Sequence, residues 1–389
     1  MFKNKINKIV GGLMQKRIRI VSIGIILIVL FISVIILNKN TNNKHTFKKD
    51  GILYALSLDG KSITSFPSKG LYKANVSCEG ADGKWLYDDW KLAIENITGD
   101  VSCDIKFETI TKTYFNDYIL GLAETTQGTG QVVNENGYRY EGKNPNNYIW
   151  FNNEYWRIIG VFDSGSHGQD GKYLVKIICD DSLGGLAQGK YNNDWTVASL
   201  NKLLNGAYYN AQDGTSSGYC YGSYSATANC DYTKKGIQSG YRSMIAKVTW
   251  YLGGYSSNGA TTEAFYGYER GTTVYSERPT STTGYIGLMY PSDYGYSVLS
   301  SSCTRTTVLS SYNTAKCAGQ NWLYGKGYEW TLTPYSSNND NVSYLDENGN
   351  LKYNNSYNGH GVRPVLYLDA SVYKIDGEGT LDKPYIVGM

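Results

Sequence analysis

Histidine is nearly absent from this chain of 389 residues, which contains only His45, His167 and His360. Because histidine is the side chain that most often transfers protons near neutral pH, catalytic groups of this kind are scarce. No spacing of cysteine and histidine matches a zinc site, and no glycine-rich phosphate loop precedes a helix. The sequence therefore predicts no metal, no cofactor and no enzymatic activity.

Two weaker chemical candidates remain. Cys179 is the unpaired seventh cysteine, and it could form a nucleophilic pair with His360. Its place in the apolar run Leu174–Cys179 favours a small buried strand residue instead. The segment Asp346–Asn350 offers oxygen ligands for calcium, but it lacks the full loop spacing and the terminal glutamate. An ordinary turn is the simpler interpretation of that segment.

Acidic residues are missing from residues 1–49, which hold ten of the 37 lysines and arginines. The remainder of the chain therefore carries 27 basic against 34 acidic side chains, a net charge of −7. A body of this charge offers no electrostatic attraction to nucleic acid or to anionic lipid headgroups. Nucleic acid is therefore not expected as a partner.

The same N-terminal region contains a long uncharged apolar run, residues 20–37. At about 1.5 Å of helix rise per residue, the run is just long enough to cross the hydrocarbon core of a bilayer. A cleaved signal peptide is the alternative. Its apolar core is usually about 7–15 residues long and ends at small residues, and neither such a site nor a lipidated cysteine follows here. The run predicts an uncleaved transmembrane anchor, with the lipid bilayer as its partner.

Charge and cysteine usage give the orientation of this anchor. Six basic residues precede the run and four follow it, which favours a cytoplasmic N-terminus. Six cysteines form three local couples in loop-rich sequence, a pattern typical of disulfides outside a reducing cytosol. The couples are Cys78 with Cys103, Cys220 with Cys230, and Cys303 with Cys317. Reduced thiols in a cytosolic domain are the alternative, and we predict a single-pass cell-membrane protein with an extracellular body.

The fold class predicted from these patterns is α+β. Alternation at 54–58 and 101–107, with the turn pair Asp59-Gly60, indicates a small disulfide-stapled β module. In the larger domain, Asn152-Asn153 predicts a hairpin, and apolar stripes at 197–208 and 237–252 predict two helices beside an antiparallel sheet. The expected segments are a cytoplasmic tail (1–19), the anchor (20–37), a tether (38–50), the β module (51–109), a linker (110–147) and the α+β domain (148–389).

Six motifs in the larger domain resemble a known family as a set. They are Tyr138–Asn147, Phe151–Gly160, Trp250–Gly254, Gly287–Tyr294, Trp330–Pro334 and Val362–Leu366. Over about residues 115–389 the chain resembles an uncharacterised surface-domain family of membrane-anchored proteins in low-GC Gram-positive bacteria. That family is similar in turn to the C-type-lectin-like superfamily, which includes the formylglycine-generating enzymes. The resemblance implies a lectin-like fold but no activity, since the reactive cysteine motif of those enzymes has no counterpart here.

Tyrosine-rich loops are the main candidates for binding. The chain has 37 tyrosines and 44 glycines, and loops of Tyr, Ser, Gly and Asn are typical of adaptable binding surfaces and of sites that stack on sugars. Codon bias and tyrosine packing over a thin core are the alternative explanation. The candidate residues are Tyr219, Tyr221, Tyr224, Tyr255, Tyr266, Tyr268 and Tyr275.

Arg363 is a further candidate, although pairing with a carboxylate where the last strand enters the sheet is the simpler interpretation. Taken together, the sequence predicts a membrane-anchored recognition or adhesion protein that binds a glycan or a protein at the cell surface. The alternatives are a structural protein of the cell envelope and a cell-wall hydrolase that uses acidic residues.

Overall fold

A computed structural model describes residues 46–389 except positions 50, 88, 127–130, 225, 258 and 325–326. These residues divide into two compact units, one ending at Lys112 and one spanning Thr113–Met389. The predicted tail (1–19) and transmembrane run (20–37) lie outside the described residues. Within the described part of the chain, no helix is both long and apolar enough to cross a membrane.

The unit that ends at Lys112 is a β module. Its strands are β1 (Thr46–Lys49), β2 (Ile52–Leu58), β3 (Lys61–Ser62), β4 (Tyr72–Glu79), β5 (Asp82–Leu86), β6 (Lys91–Glu95) and β7 (Val101–Thr109). The main sheet has the order β1-β2-β7-β4, with β3 also paired to β2, and β5 pairs with β6 in a second sheet. Strand β2 is parallel to β7, whereas β4 is antiparallel to it.

Two sequence features explain this module. Asp59 and Gly60 both have positive φ, 49° and 79°, which is what a two-residue hairpin turn requires. The predicted hairpin there is confirmed, since β2 pairs with β3 on either side of the turn. Cys78 and Cys103 are direct partners across β4 and β7, and they form a disulfide bond.

The second unit contains most of the strands. They are β8 (Thr113–Tyr114), β9 (Val132–Asn134), β10 (Tyr138–Tyr140), β11 (Tyr148–Phe151), β12 (Glu154–Phe162), β13 (Leu174–Cys179), β14 (Gly185–Ala187), β15 (Tyr221–Ser223), β16 (Ala226–Thr227), β17 (Val248–Tyr251), β18 (Ser281–Gly284), β19 (Ile286–Gly287), β20 (Glu329–Pro334), β21 (Asn341–Leu345), β22 (Leu351–Asn355), β23 (Gly359–Gly361), β24 (Val365–Tyr367), β25 (Tyr373–Asp376) and β26 (Tyr385–Gly388). The large sheet follows β19-β24-β13-β12-β11-β26-β25-β8, with β10 paired to β12 and β9 paired to β10. A second sheet follows β14-β23-β20-β21-β22, and β15-β16 and β17-β18 form two-stranded pairs.

The strand pairing corrects the predicted antiparallel sheet. Strand β26 runs parallel to β11, and β23 runs parallel to β20, so both larger sheets are mixed. The hairpin predicted at Asn152-Asn153 is confirmed, because both residues have positive φ and join β11 to β12. The core of the unit lies on these sheets, where Trp156, Ile158 and Ile177 are fully buried.

Helices are few and short. They are α1 (Phe115–Thr126), α2 (Ser164–His167), α3 (Ser199–Leu203), α4 (Thr262–Glu269) and α5 (Pro291–Tyr296), with a π-helical turn at Leu204–Tyr208 and 3-10 turns at Arg242–Met244, Leu309–Ser311 and Ala318–Gln320. With 37% strand and 14% helix, the protein is mostly β. The prediction of an α+β fold class, with a C-type-lectin-like mixed domain of two helices and an antiparallel sheet, is therefore wrong for the described residues. The predicted transmembrane helix lies outside them.

Of the two predicted helices, the first is confirmed and the second is wrong. The stripe at 197–208 forms helix α3 (Ser199–Leu203) and the π-helical turn that continues it to Tyr208. The stripe at 237–252 forms one 3-10 turn and then β17, where Val248 and Trp250 are buried and pair across to β18. The β-branched and aromatic residues of this stripe favour a strand. Their spacing matches that of a helix only by chance.

Candidate binding surface

Two of the predicted tyrosines lie on one disulfide-closed loop. Cys220 and Cys230 are bonded, and Tyr221 and Tyr224 belong to the β15–β16 hairpin between them. The hairpin lies against β23, because a Cβ atom on Gly359 would come within 2.1 Å of the Gly222 carbonyl oxygen. Such a close backbone approach needs glycine, and it fixes the position of the hairpin.

The hairpin places Tyr224 in a stack of three tyrosine rings, which we call the tyrosine stack: Tyr191, Tyr357 and Tyr224. The ring centroid of Tyr357 lies 4.8 Å from that of Tyr191 and 4.7 Å from that of Tyr224. The Tyr224 backbone N–H donates to the Tyr357 carbonyl at 2.6 Å. Tyr191 is 62% exposed and Tyr224 is 56% exposed, so the outer rings offer apolar surface to the solvent.

Both outer residues of the tyrosine stack have strained backbones. The φ angles of Tyr191 and Tyr224 are 52° and 51°, in the left-handed region that bulky residues rarely adopt. Each such residue costs about 1–2 kcal/mol, and the conformation persists only where the surroundings impose it. Strain of this kind occurs preferentially at binding sites.

Polar groups surround the tyrosine stack. The Asn355 amide donates to the Tyr357 hydroxyl, and the Asn358 amide donates to Asn354 Oδ1 at 2.8 Å. Beside the stack, the Lys190 ammonium lies 4.1 Å from the ring centroid of Tyr221. The sequence analysis missed Tyr191 and Tyr357, because both lie outside the tyrosine-rich loops and no spacing connects them to Tyr224.

Tyr275 lies elsewhere, on a small cleft that we call the Tyr275 cleft. Its polar lining includes Asn193, Trp195 and Arg278. The Arg278 guanidinium carbon lies 5.1 Å from the Tyr275 ring centroid, a cation–π contact. The half-exposed Arg278 and the exposed Tyr275 therefore form one wall of this cleft.

The other candidate tyrosines surround helix α4 or contact lysine. Tyr255 is buried against Phe265, with centroids 4.7 Å apart, and Tyr268 is exposed on the same helix. The Tyr266 ring lies 3.6 Å from the Arg270 guanidinium carbon. The remaining candidate, Tyr219, lies 5.1 Å from the Lys202 ammonium. The structure thus distributes the predicted tyrosines over several regions of the second unit.

Arg363 is buried beside a carboxylate, just before β24. Its Nε donates to Glu329 Oε1 at 2.8 Å, and its Nη2 donates to the Leu323 carbonyl at 3.1 Å. Both side chains are almost fully buried. This geometry is the carboxylate pairing that the sequence analysis favoured over a role in ligand binding.

Cys179 and His360 have different neighbours. Burial raises the pKa of the Cys179 thiol well above its ordinary value, and the nearby Glu154 carboxyl raises it further. His360 Nε2 lies 3.1 Å from Asn354 Nδ2, and the His360 ring stacks on Tyr344 at 4.4 Å. Burial lowers the pKa of His360 to about 4. A neutral thiol and a histidine held among aromatic rings are poor nucleophile and base.

The buried carboxylates are bound to basic side chains. Asp293 pairs with Arg139 at 3.0 Å and with Lys176 at 2.5 Å. Glu135 and Glu141 both bind the Arg305 guanidinium, Glu141 at 2.5 Å. Because each carboxylate has a cationic partner, these contacts serve the packing of the second unit.

The predicted turn at Asp346 is present. Asp346 Oδ1 accepts the backbone N–H groups of Asn348 and Asn350, both at 2.9 Å. Across the described residues, no three His, Cys, Asp or Glu side chains are grouped closely enough to hold a metal ion.

The tyrosine stack and the Tyr275 cleft are close along the chain. Tyr191 of the stack and Asn193 of the cleft are two positions apart, so their Cα atoms lie within about 7 Å. In comparisons with protein-family models, with curated proteins and with solved structures, the chain has no match.

Proposed function

We propose that this chain is a membrane-anchored extracellular recognition or adhesion protein that binds a glycan through the tyrosine stack. One observation carries the proposal: two solvent-exposed tyrosine rings, both on strained backbones, flank a third. Bulky residues rarely adopt this backbone conformation, and its concentration at binding sites in proteins supports the proposal.

The chemistry of the tyrosine stack suits a sugar. Pyranose rings present C–H groups that pack on aromatic faces, and their hydroxyl groups pair with amides such as those of Asn355 and Asn358. Tyrosine provides a large contact area at a small entropy cost, since few of its torsions must be fixed. The Cys220–Cys230 bond and the hairpin contact hold the rings before the ligand arrives, which reduces that cost further.

Charge and disulfides support the extracellular part of the proposal. The body after residue 49 has a net charge of −7, which disfavours nucleic acid and suits an uncharged ligand. The three disulfide bonds agree with the predicted couples and are typical of an oxidising compartment. The apolar run at residues 20–37 would hold the body at the membrane.

The test is a glycan array followed by titration calorimetry. The full chain is purified in a detergent without a sugar headgroup, so that the detergent cannot compete for the site. Tyr224→Ala is expected to weaken glycan binding at least tenfold, because one stacking ring is lost. Tyr173→Ala is the matched control, an exposed tyrosine outside the tyrosine stack and outside the candidate residues.

Two results would contradict the proposal. The first is the absence of glycan binding by the wild-type chain. If the wild-type chain instead bound a cell-surface protein, the tyrosine stack would be assigned to protein recognition. The second is equal affinity for Tyr224→Ala and the wild type. Circular dichroism of each variant shows whether it is folded, so that a loss of binding is not a loss of structure.

A further inference from the structure

Lys176 and Asp293 are in direct contact in the interior of the second unit. The Lys176 ammonium nitrogen lies 2.5 Å from Asp293 Oδ2, and the two side chains are 1% and 2% exposed. Lysine is almost never buried to this extent unless it is paired. Burial lowers the pKa of Lys176 to about 8, although the charge of Asp293 opposes the shift. A lysine in such a site releases its proton more readily than one in water, and the free amine is a nucleophile.

Four aromatic rings surround the Lys176 ammonium. Their centroids lie 4.5 Å (Tyr290), 5.5 Å (Tyr367), 5.7 Å (Phe162) and 5.7 Å (Trp250) from its nitrogen. All four of these side chains are themselves buried, so the contact is shielded from bulk water. This matters because an amine and a carboxyl group release water when they condense to an amide, and a dry site disfavours the reverse reaction.

Both partners are held in place by the backbone around them. Lys176 lies in the middle of β13, where it pairs with Gly160 of β12 on one side and with Tyr367 of β24 on the other. Asp293 lies in the first turn of α5, and its Oδ2 accepts the Tyr290 backbone N–H at 2.9 Å. The amine and the carboxyl group are therefore positioned against each other before any reaction, which removes the entropy cost of bringing them together.

Arg139 binds the other oxygen of the same carboxyl group. Its Nη1 donates to Asp293 Oδ1 at 3.0 Å, and the Arg139 side chain is 1% exposed. When an amine attacks a carboxyl carbon, negative charge develops on such an oxygen, and a donor at about 2.7–3.1 Å stabilises it. Burial opposes the shift, but the charges of Lys176 and Arg139 lower the pKa of Asp293. The resting state is therefore the ion pair, and a reaction starts with proton transfer inside it.

We propose that Lys176 and Asp293 join in an intramolecular amide bond, a covalent cross-link inside the second unit. The ammonium gives one proton to Oδ2, and the amine attacks Cγ so that the N–C bond forms. A second proton passes from Nζ to Oδ2, the Cγ–Oδ2 bond breaks, and Oδ2 leaves as water. Oδ1 remains as the amide carbonyl oxygen and stays bonded to Arg139. The two opposite charges disappear together, so the step balances without a further reactant.

The cross-link joins distant parts of the chain. Lys176 and Asp293 are 117 positions apart, whereas the three disulfide bonds span 25, 10 and 14 positions. The amide ties β13, which lies inside the large sheet, to helix α5. Thiols reduce disulfide bonds but leave an amide intact, so this tie persists under reducing conditions. The cross-link does not depend on the proposed glycan binding.

The test is a peptide map of the full chain, reduced, digested with trypsin and sequenced by tandem mass spectrometry. We expect one branched peptide that contains Lys176 and Asp293, lighter than its two linear parts by one water molecule, and no cleavage after Lys176. Lys176→Arg keeps the positive charge but cannot form the amide, so it should lack this peptide completely. In a denaturing gel, the reduced wild-type chain should migrate faster than Lys176→Arg, because the closed segment keeps the unfolded chain compact.

Lys383→Arg is the matched control, because Lys383 forms an exposed ion pair with Glu378, and it should keep the branched peptide. Linear peptides with free Lys176 and Asp293 as the main products would overturn the proposal and leave an ordinary buried ion pair. Equal migration of the wild type and Lys176→Arg would also overturn it, as would loss of water through a cyclic imide, which gives no branched peptide. The wild-type map requires no variant, so it decides even if Lys176→Arg does not fold.

Discussion

At the scale of single residues, the second unit contains several buried ion pairs. Arg363 and Glu329 are one such pair, and both side chains are almost fully removed from solvent. We expect Arg363→Met to lower the free energy of unfolding by about 3–5 kcal/mol, because it leaves a buried carboxylate without its cation. Urea denaturation of the variant measures this loss.

The exposed pair Lys383–Glu378 provides the control for Arg363. Its atoms are 3.1 Å apart, but both side chains are solvent-exposed. Lys383→Met should therefore change stability by less than about 1 kcal/mol. The double variant Arg363→Met with Glu329→Gln should recover part of the loss. Equal losses in the two single variants would mean that burial does not set the strength of these pairs.

A second residue-scale effect concerns pH. Burial raises the pKa of Glu154 to about 7, from an ordinary value of 4.5. Between these values the folded chain holds a proton that the unfolded chain has lost, so the free energy of unfolding falls as the pH rises from about 4.5 to about 7. Glu154→Gln cannot ionise, and its stability should fall less over this range.

Urea denaturation at pH 5, 6, 7 and 8 measures the slope of stability against pH for Glu154→Gln. Some slope should remain, because burial also raises the pKa values of Glu141 and Glu269 to about 7. Glu263→Gln, at an exposed position, should follow the wild type. An identical slope in Glu154→Gln and the wild type would contradict the assignment.

At the scale of elements, the Cys220–Cys230 bond controls the hairpin that carries Tyr224. Removing it with Cys220→Ala and Cys230→Ala should lower the free energy of unfolding by about 3 kcal/mol in the chain-entropy model. The loosened hairpin should also weaken glycan binding, measured by calorimetry. Cys78→Ala with Cys103→Ala is the control, and it should lower stability without changing binding. A loss of binding in the control alone would contradict the role of the hairpin.

The elements show which local signals in the sequence are reliable. Asp59-Gly60 and Asn152-Asn153 predict hairpins correctly, because positive φ at two adjacent positions is a requirement few residues meet. The apolar stripe at 237–252 predicts a helix that does not form, because over so few positions the apolar residues of a strand and of a helix can have the same spacing. The pairing of β17 with β18 selects the strand, and this pairing depends on residues thirty or more positions away.

The candidate sites were only partly predictable for a similar reason. Composition identifies Tyr224 and Tyr275 as candidates, because both lie in loops rich in Tyr, Ser and Gly. Tyr191 and Tyr357 come from separate segments that only the folded chain brings together. The contact between Lys176 and Asp293 has no sequence signal at all, since residues 117 positions apart meet only through packing.

At the scale of the whole molecule, the proposed anchor can be tested directly. Leu27→Arg with Leu30→Arg places two charges near the centre of the apolar run, each costing about 2.5–3.5 kcal/mol for insertion. We expect the wild-type chain to stay in the membrane fraction after an alkaline wash and this variant to be released. Leu27→Ala with Leu30→Ala should stay with the membrane. A wild-type chain that is washed off, or whose mature N-terminus lies beyond residue 37, would contradict the anchor.

The position of strand β26 at the C-terminal end of the chain affects how the large sheet folds. This strand lies between β11 and β25 in the large sheet, and β25 in turn pairs with β8. During synthesis, one edge of β11 therefore stays unpaired until residues 385–388 have emerged. An unpaired edge invites pairing with other chains, so the growing polypeptide is exposed to aggregation for most of its synthesis. Shielding by chaperones would matter more for this protein than for one whose sheet closes early.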